Sequence, residues 1–319
     1  MCRSVPFAMF SILIPTYNRF RYLCEAIESA LAQTLPPREI VVLDDASPDE
    51  TPRVQELFGD RIRYIRHESN LGIVGNWLFG FHAARGPYAF VLHDDDVLEP
   101  TALAEFGRVL RAAPSADLVF CNQSIIDEKG NLLPDRTADH NARYHRASLT
   151  EGFLPDLAQD ALIRMSIPVG AAVYRSGLLK QVHIPDAAVG QADLWLFYEL
   201  VKRDARAYFL PRPLVRYRVH PNSMSGGMQR YCLPGGIFRC RAILEDEGLR
   251  RIHPAVRKQL AGYSRRLAHL ELQDGDWRLA RVHAFQAAMA TRCMDWKALA
   301  MFVLSLVGPM VPKRLASRM

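Results

Sequence analysis

Residues 86–98 read GPYAFVLHDDDVL. The run 88–92 (YAFVL) is apolar on both faces, as a strand covered on both sides of a sheet must be. It passes without a turn residue into His93, Asp94, Asp95 and Asp96. Just before it, residues 74–84 carry a helical pattern closed by Gly86, read as a C-cap glycine. Just after it, Pro100 opens a further helix to about Arg111, and residues 117–121 begin a fifth strand. The same alternation continues toward the N-terminus. Residues 10–15 (FSILIP) form a first strand. Residues 21–33 place Leu23, Ala26, Ile27, Ala30 and Leu31 at helical spacing. Residues 40–43 (IVVL) form a second strand that ends on Asp44 and Asp45. Ser47 or Asp49 can cap the next helix, with Pro52 in its first turn, and residues 62–66 form a third strand. Strands alternating with helices predict an α/β domain with a mixed, mostly parallel sheet. Such sheets bind ligands at the C-terminal ends of their strands. Three polar clusters fall there: residues 15–18, 44–47 and 93–96.

Further along, the polar, turn-rich stretch 131–146 predicts a mobile loop. Residues 149–163 predict a helix, 169–174 a strand and 193–203 a helix. Residues 207–220 mix short strands with prolines, and after Gly226-Gly227 the pattern is helical. The expected boundaries are an α/β domain over 1–226, in two halves of about 8–127 and about 128–226, and a helical region over 227–319. For 319 residues, about two domains is the length expectation.

With 49% hydrophobic and 23% charged residues, the chain buries a core, which excludes disorder and collagen-like repeats. The net charge of +6 is unevenly spread, with 16 Lys/Arg against 7 Asp/Glu after Gly226. Six cysteines without a C-x-x-C pair argue against a zinc site and a disulfide scaffold. No secretory signal is visible. The run 298–312 is shorter than the roughly 20 residues that a spanning helix needs, and Lys313, Arg314 and Arg318 follow it. It suits an interfacial or partner-packed helix.

Consecutive carboxylates at a strand end repel one another unless a cation sits among them. Hard oxygen ligands suit Mg²⁺ or Mn²⁺; the alternative for Asp94–Asp96 is a solvated cap before Pro100. Asp44 and Asp45 can accept hydrogen bonds from a nucleobase or ribose, or can form an Asx turn. No G-x-G-x-x-G follows the first strand and no P-loop is present, which excludes those two phosphate cradles.

The stretch from Phe10 to about Leu98 resembles the inverting glycosyltransferases of family 2, which have the GT-A type fold. The pieces are residues 14–19 (IPTYNR), 29–34 (SALAQT), 40–47 (IVVLDDAS), 68–72 (ESNLG), Gly75-Asn76, 86–88 (GPY) and 92–98 (LHDDDVL), in that order. The resemblance implies a GT-A type nucleotide-binding fold with a C-terminal helical region, a nucleotide-sugar donor and a divalent metal. A UDP-sugar comes first among donors, with dTDP- or GDP-sugars as alternatives. Pro15 and Tyr17 match the loop lining the nucleoside, and Asp45, with Asp44 beside it, matches the aspartate that contacts the base. Asn76 and Asp94 join the donor set. Asp95 matches the metal-ligating end of the D-x-D element. His93 departs from that element at its first position.

Residues 191–195 (QADLW) resemble the acceptor-side element often written E-D, with Ala192 in place of the glutamate. Asp193 then becomes the general base; the alternative is that it only N-caps a helix. Residues 217–225 (YRVHPNSMS) resemble a Y-R-x-H…S segment that brings Arg218 to the diphosphate and His220 to the metal. A glycan or lipid-linked acceptor, a cytoplasmic location with peripheral contact of the C-terminal helices on the inner membrane face, cell-surface glycan synthesis and no nucleic-acid partner complete the implied picture. The departures at His93 and Ala192 leave a non-catalytic sugar-nucleotide-binding subunit as an alternative, and a sugar nucleotidyltransferase as a third.

Overall fold

The computed structural model describes residues 9–220, 229–291 and 295–307. Cys2, Cys293, residues 221–225 of the YRVHPNSMS segment, the boundary at 226, and Lys313, Arg314 and Arg318 lie outside them. The chain begins with β1 (Phe10–Thr16), α1 (Phe20–Leu31) and β2 (Glu39–Asp44). A turn of 3-10 helix at Thr51–Arg53 carries Pro52 in its first turn and leads into α2 (Val54–Phe58). Next come β3 (Arg63–Arg66), α3 (Gly72–Ala83), β4 (Tyr88–Val91), β5 (Val97–Leu98), α4 (Ala102–Ala112) and β6 (Leu118–Ile126). The predicted alternation is therefore realised throughout the first half.

The second half differs in three places. Residues 131–146 hold a helix, α5 (Pro134–Arg143), where a loop was expected. Pro134 pre-sets its first turn, and Thr137 Oγ1 accepts from the Ile125 amide at 2.8 Å, tying it to β6. None of its ten residues is fully buried, and the half-buried ones, Thr137, His140 and Asn141, are polar, so no apolar periodicity marked it. Within 149–163 only the end is helical; β7 (Gly152–Phe153) precedes a short π-helical turn at Gln159–Ile163. Residues 207–220 contain one long strand rather than several. After β8 (Ala172–Arg175), α6 (Ser176–Leu179) and α7 (Ala192–Val201), β9 runs over Ala207–Arg218. Its prolines sit at a bulge, where the register against β6 jumps from Cys121↔Leu210 to Asn122↔Pro213. A bulge spares proline the amide donor that a ladder demands.

Among the described residues, nine strands form one sheet in the order β3-β2-β1-β4-β8-β6-β9-β5, with β7 paired to β9. β3, β2, β1 and β4 pair in parallel, and β6 pairs in parallel with β9. β8 runs antiparallel to both β4 and β6, so those two share a direction. β1, β2, β3, β4, β6 and β9 thus point one way, and β5, β7 and β8 the other. The core gathers Phe10, Ile12, Ile14, Val42 and Phe90 with α1 and α4 residues such as Ile27 and Phe106. Gly86 is not a C-cap. A Cβ there would lie 2.9 Å from Met9 O and Ser11 N, so only glycine lets the chain pass that close to β1.

The chain divides into two compact units. Among the described residues, 9–183 with 196–220 build the sheet unit. Residues 184–195 belong to the other unit, with the C-terminal helices α8 (Gln229–Glu245), α9 (His253–Asp274), α10 (Trp277–Ala290) and α11 (Trp296–Val307). The segment carrying Asp193 thus groups with the helices. Among the described residues no helix is long and apolar enough to cross a membrane.

Candidate active site at the sheet edge

β2, β1 and β4 are parallel neighbours, so their C-terminal ends lie side by side. That places the three predicted polar clusters together on one edge. Thr16, the last residue of β1, donates from Oγ1 to Asp94 Oδ2 at 2.8 Å. Ser47 Oγ accepts from the Asn18 amide at 2.9 Å, joining the first-strand loop to the second. Asn18 and Ala46 both take φ of 61°. For alanine that left-handed conformation costs of order 1–3 kcal/mol, and here it closes the turn on Asp45.

The neighbouring pair Asp44 and Asp45 divides its work. Asp44 is wholly buried; its Oδ1 accepts from the Ser47 amide, and its Oδ2 from Tyr64 Oη at 2.5 Å, with Arg66 Nε at 3.4 Å. It is spent on holding β2 to β3. Asp45 accepts from the Leu71 amide at 2.6 Å through Oδ1. Asn76 is also internal: its Nδ2 donates to Leu43 O at 2.9 Å, and its Oδ1 meets His67 Nε2 at 3.0 Å. The residues brought to the surface of this edge are Tyr17, which is exposed, and Pro15, which is half-buried.

Arg19 stands among the carboxylates of the aspartate loop. Its guanidinium pairs with Asp95 Oδ2, lies 3.7 Å from Asp94 Oδ1, and approaches His220 Nε2 at 3.4 Å. His220 Nε2 in turn meets Asp95 Oδ2 at 3.1 Å. Burial alone would raise the Asp95 carboxyl, but His93, Arg19 and His220 outweigh it and hold the group below the usual carboxylate range. Asp94 goes the other way. Burial and the Asp95 charge push it up to about 7, against the pull of Arg19, Thr16 and His93. Burial opposes a charge on His93, yet Asp96 at 3.5 Å and the charges of Asp95 and Asp94 raise it to about 9. The His93 ring stacks parallel to Trp77 with centroids 6.4 Å apart, and Gly170 leaves it room on another side.

Arg218 does not present its charge to a ligand. Its side chain is 1% exposed. Nε donates to Asp95 O at 2.9 Å, Nη1 to Glu128 O at 3.1 Å and Nη2 to Glu25 Oε2 at 2.6 Å, while its amide donates to Asp96 Oδ1 at 3.0 Å. With these partners Arg218 braces the Asp95–Asp96 backbone from behind.

For a divalent cation, Asp95 gathers with His93 and Asp96, one ligand atom of each lying within 4.8 Å of the others. His220 stands outside that group. Asp96 Oδ2 is buried, makes no close hydrogen bond and has only the His93 ring nitrogen at 3.5 Å, so a cation would satisfy it more fully. Two carboxylates and an imidazole fit Mg²⁺ or Mn²⁺. Sequence reading took Asp96 only as part of the carboxylate cluster, gave His93 no role of its own and passed over Arg19. The signal for Arg19 was present: a cation directly after the first strand, on the edge that holds the aspartates.

Asp193 lies in the helical unit. α7 begins at Ala192, so Asp193 sits inside the first turn and not at the N-cap. It is exposed between the buried residues Ala192 and Leu194. A 3-10 turn at Asp186–Gln191 leads into it, and there Gly190 packs so tightly on α8 that a Cβ would collide with the Tyr231 carbonyl. Tyr263 Oη donates to Gln191 Oε1 at 3.4 Å. Of the other acceptor-side carboxylates, Glu199 is buried and paired with Arg203 at 2.7 Å, and Asp186 is exposed.

A sheet of this order, with helices following it, has the GT-A type fold. A family model described as glycosyl transferase family 2 matches residues 11–180, and the chain belongs to that family. It is 30% identical over 216 residues to an uncharacterized glycosyltransferase of Rickettsia typhi, covering 66% of this chain and 64% of that protein. The chain thus spans just under two thirds of that relative. It is 36% identical over 128 residues to a chondroitin synthase of Escherichia coli, covering 39% of this chain and 18% of that one. Among solved structures, S. aureus TarS 1–349 in complex with UDP-GlcNAc superposes with a TM-score of 0.63 at 15% identity, covering 94% of this chain and 92% of that one. Mannosyltransferase PcManGT from Pyrobaculum calidifontis, in complex with GDP-Man and Mn²⁺, superposes at 0.54 with 17% identity, covering 93% and 86%.

Proposed function

We propose that the protein is an inverting glycosyltransferase that moves a sugar from a nucleotide-sugar donor to a glycan or lipid-linked acceptor hydroxyl, in bacterial cell-surface glycan synthesis on the cytoplasmic side of the membrane. The observation that carries this reading is the convergence of Tyr17, Asp45 and Asp94–Asp96 on three adjacent parallel strand ends. Tyr17 and Pro15 flank the nucleoside, Asp45 accepts from the base, and Asp94 faces the ribose or donor sugar. Arg19 balances the carboxylates of the loop. A UDP-sugar is the first donor in this reading, since a fold relative is described with UDP-GlcNAc; a GDP-sugar follows, since another is described with GDP-Man.

Asp95, with Asp96 and His93, would hold Mg²⁺ or Mn²⁺, which when bound stabilises charge on the leaving diphosphate. Asp193 takes the proton from the acceptor hydroxyl as it attacks the anomeric carbon. Attack on the face opposite the leaving group inverts the configuration, and one carboxylate base suffices because no sugar–enzyme ester forms.

A thermal-shift screen of UDP-, dTDP- and GDP-sugars with and without Mn²⁺ tests the reading, since a ligand bound to the native state raises its stability. A metal-dependent rise with one nucleotide class is expected, lost in Asp95→Ala. A wild-type profile unmoved by every nucleotide sugar would refute it.

A further inference from the structure

The helical unit carries an apolar stripe that no other described residue covers. On α10, Leu279, Val282, Phe285 and Met289 are exposed, at spacings that place them on one helix face. On α11, Trp296, Leu299, Val303 and Leu306 are exposed, again at spacings of three and four. Trp296 is 67% exposed, an unusual state for the largest apolar side chain. The two stripes meet at the helix seam, where the Phe285 and Phe302 rings lie 5.7 Å apart and Arg281 Nη2 donates to Ser305 O at 2.9 Å. Soluble monomers rarely leave contiguous apolar faces of this kind uncovered.

The charged side chains on α10 and α11 themselves are basic: Arg278, Arg281 and Lys297, with His283 paired to Glu271. From residue 277 to the end of the chain the sequence holds seven Lys/Arg, and Asp295 as its sole acidic residue. Asp295 is paired with Arg265. An open recess on the same unit is lined by Arg265, Arg266, His269 and Lys297, with Leu233 and Met301 at its apolar wall. Lys297 joins the recess to the stripe, its Nζ standing 5.7 Å from the Trp296 ring centroid. A second copy of this chain docked on this face by a twofold axis would bring these cations against their own likeness. An anionic surface meets both features at once.

We propose that the face formed by α10 and α11 docks on an anionic lipid bilayer, the apolar stripes entering the acyl boundary and the Arg266–Lys297 recess taking lipid phosphate headgroups. Such amphipathic helices lie in the plane of the interface, which suits two helices too short to span it. Tryptophan beside lysine at one end of α11 is the pairing found at headgroup level. This inference stands on the helical unit alone and does not require the sugar-transfer reading.

The test is co-sedimentation of the full chain with vesicles of pure phosphatidylcholine, and of equal parts phosphatidylcholine and phosphatidylglycerol. Binding to the anionic vesicles alone, weakened by salt, is expected. Basic residues near such a surface contribute about 1 kcal/mol each, so Arg266→Gln and Lys297→Gln should each weaken binding about fivefold. The triple variant Trp296→Ser, Leu299→Ser, Val303→Ser should weaken it at least about tenfold, with an unchanged circular dichroism spectrum, since these side chains are exposed. Wild type that stays in the supernatant with anionic vesicles would overturn the proposal. So would a triple variant that binds vesicles normally while losing self-association, which would make the stripe an interface between copies. The thermal shift of the same variants with nucleotide sugars reads the donor site separately.

Discussion

Asp44 and Asp45 are adjacent in sequence and held by different partners, Asp44 by Tyr64 and Arg66 and Asp45 by the Leu71 amide. Sequence shows two carboxylates after an apolar strand and cannot divide them, because the division is made by Tyr64 and Arg66 from the next strand. Arg218 shows the same limit. A cation in a motif near aspartates reads as a ligand contact, and the backbone and side-chain acceptors around its guanidinium come from residues 25, 95, 127 and 128. His140 makes a residue-scale prediction away from the site. Its ring stacks on Tyr217 with centroids 5.5 Å apart and meets Tyr144 edge-on. Burial, then the charges of Arg146 and Arg143, lower it to about 4. An unfolded histidine titrates near pH ~6.5. Between those values the unfolded chain takes up a proton that the folded chain refuses, so this group's contribution to stability falls as the pH falls through that window. Urea midpoints measured from pH 7 to pH 4 should decline less steeply for His140→Gln than for wild type. Parallel profiles would show that the His140 ring stays protonatable in the fold.

Elements were legible where apolar periodicity was strong. The strand over Phe10–Thr16, the helix over Phe20–Leu31 and the strand over Tyr88–Val91 fall where their sequences put them. α5 was not legible, since a helix with no fully buried residue and only polar half-buried ones writes no apolar periodicity. β9 was read as fragments, because Pro211 and Pro213 look like strand ends unless the bulge opposite Cys121 and Asn122 is known. The grouping of residues 184–195 with the C-terminal helices depends on long-range packing of Gly190 and Gln191, which local pattern does not carry. That grouping bears on Asp193. It occupies the first turn of α7, exposed, where a carboxylate gains from the helix dipole by about 0.3–1 kcal/mol. Asp193→Asn removes basicity and keeps size. If the carboxylate is the base, transfer to acceptor should fall roughly 10²–10⁴-fold, with donor affinity and melting temperature close to wild type. Full transfer activity in the variant would reduce Asp193 to a helix-end charge and turn attention to Asp186, since Glu199 is already paired.

At the scale of the whole molecule, the sheet gathers three acidic or aromatic strand ends on one edge, and the helical unit adds an exposed carboxylate together with a basic, apolar face. The resemblance in the first hundred residues foretold the first of these. The rest depends on which helices meet, and so only the structure supplies it. The account's central claim is catalysis on a nucleotide sugar. It is tested most directly by measuring nucleoside diphosphate released when the protein, Mn²⁺ and a panel of nucleotide sugars are incubated with a mixture of bacterial glycan and lipid-linked acceptors. The account predicts release from one nucleotide class, dependent on Mn²⁺ and abolished in Asp95→Ala. A wild-type protein that binds a nucleotide sugar yet releases no diphosphate with any donor or acceptor would contradict it.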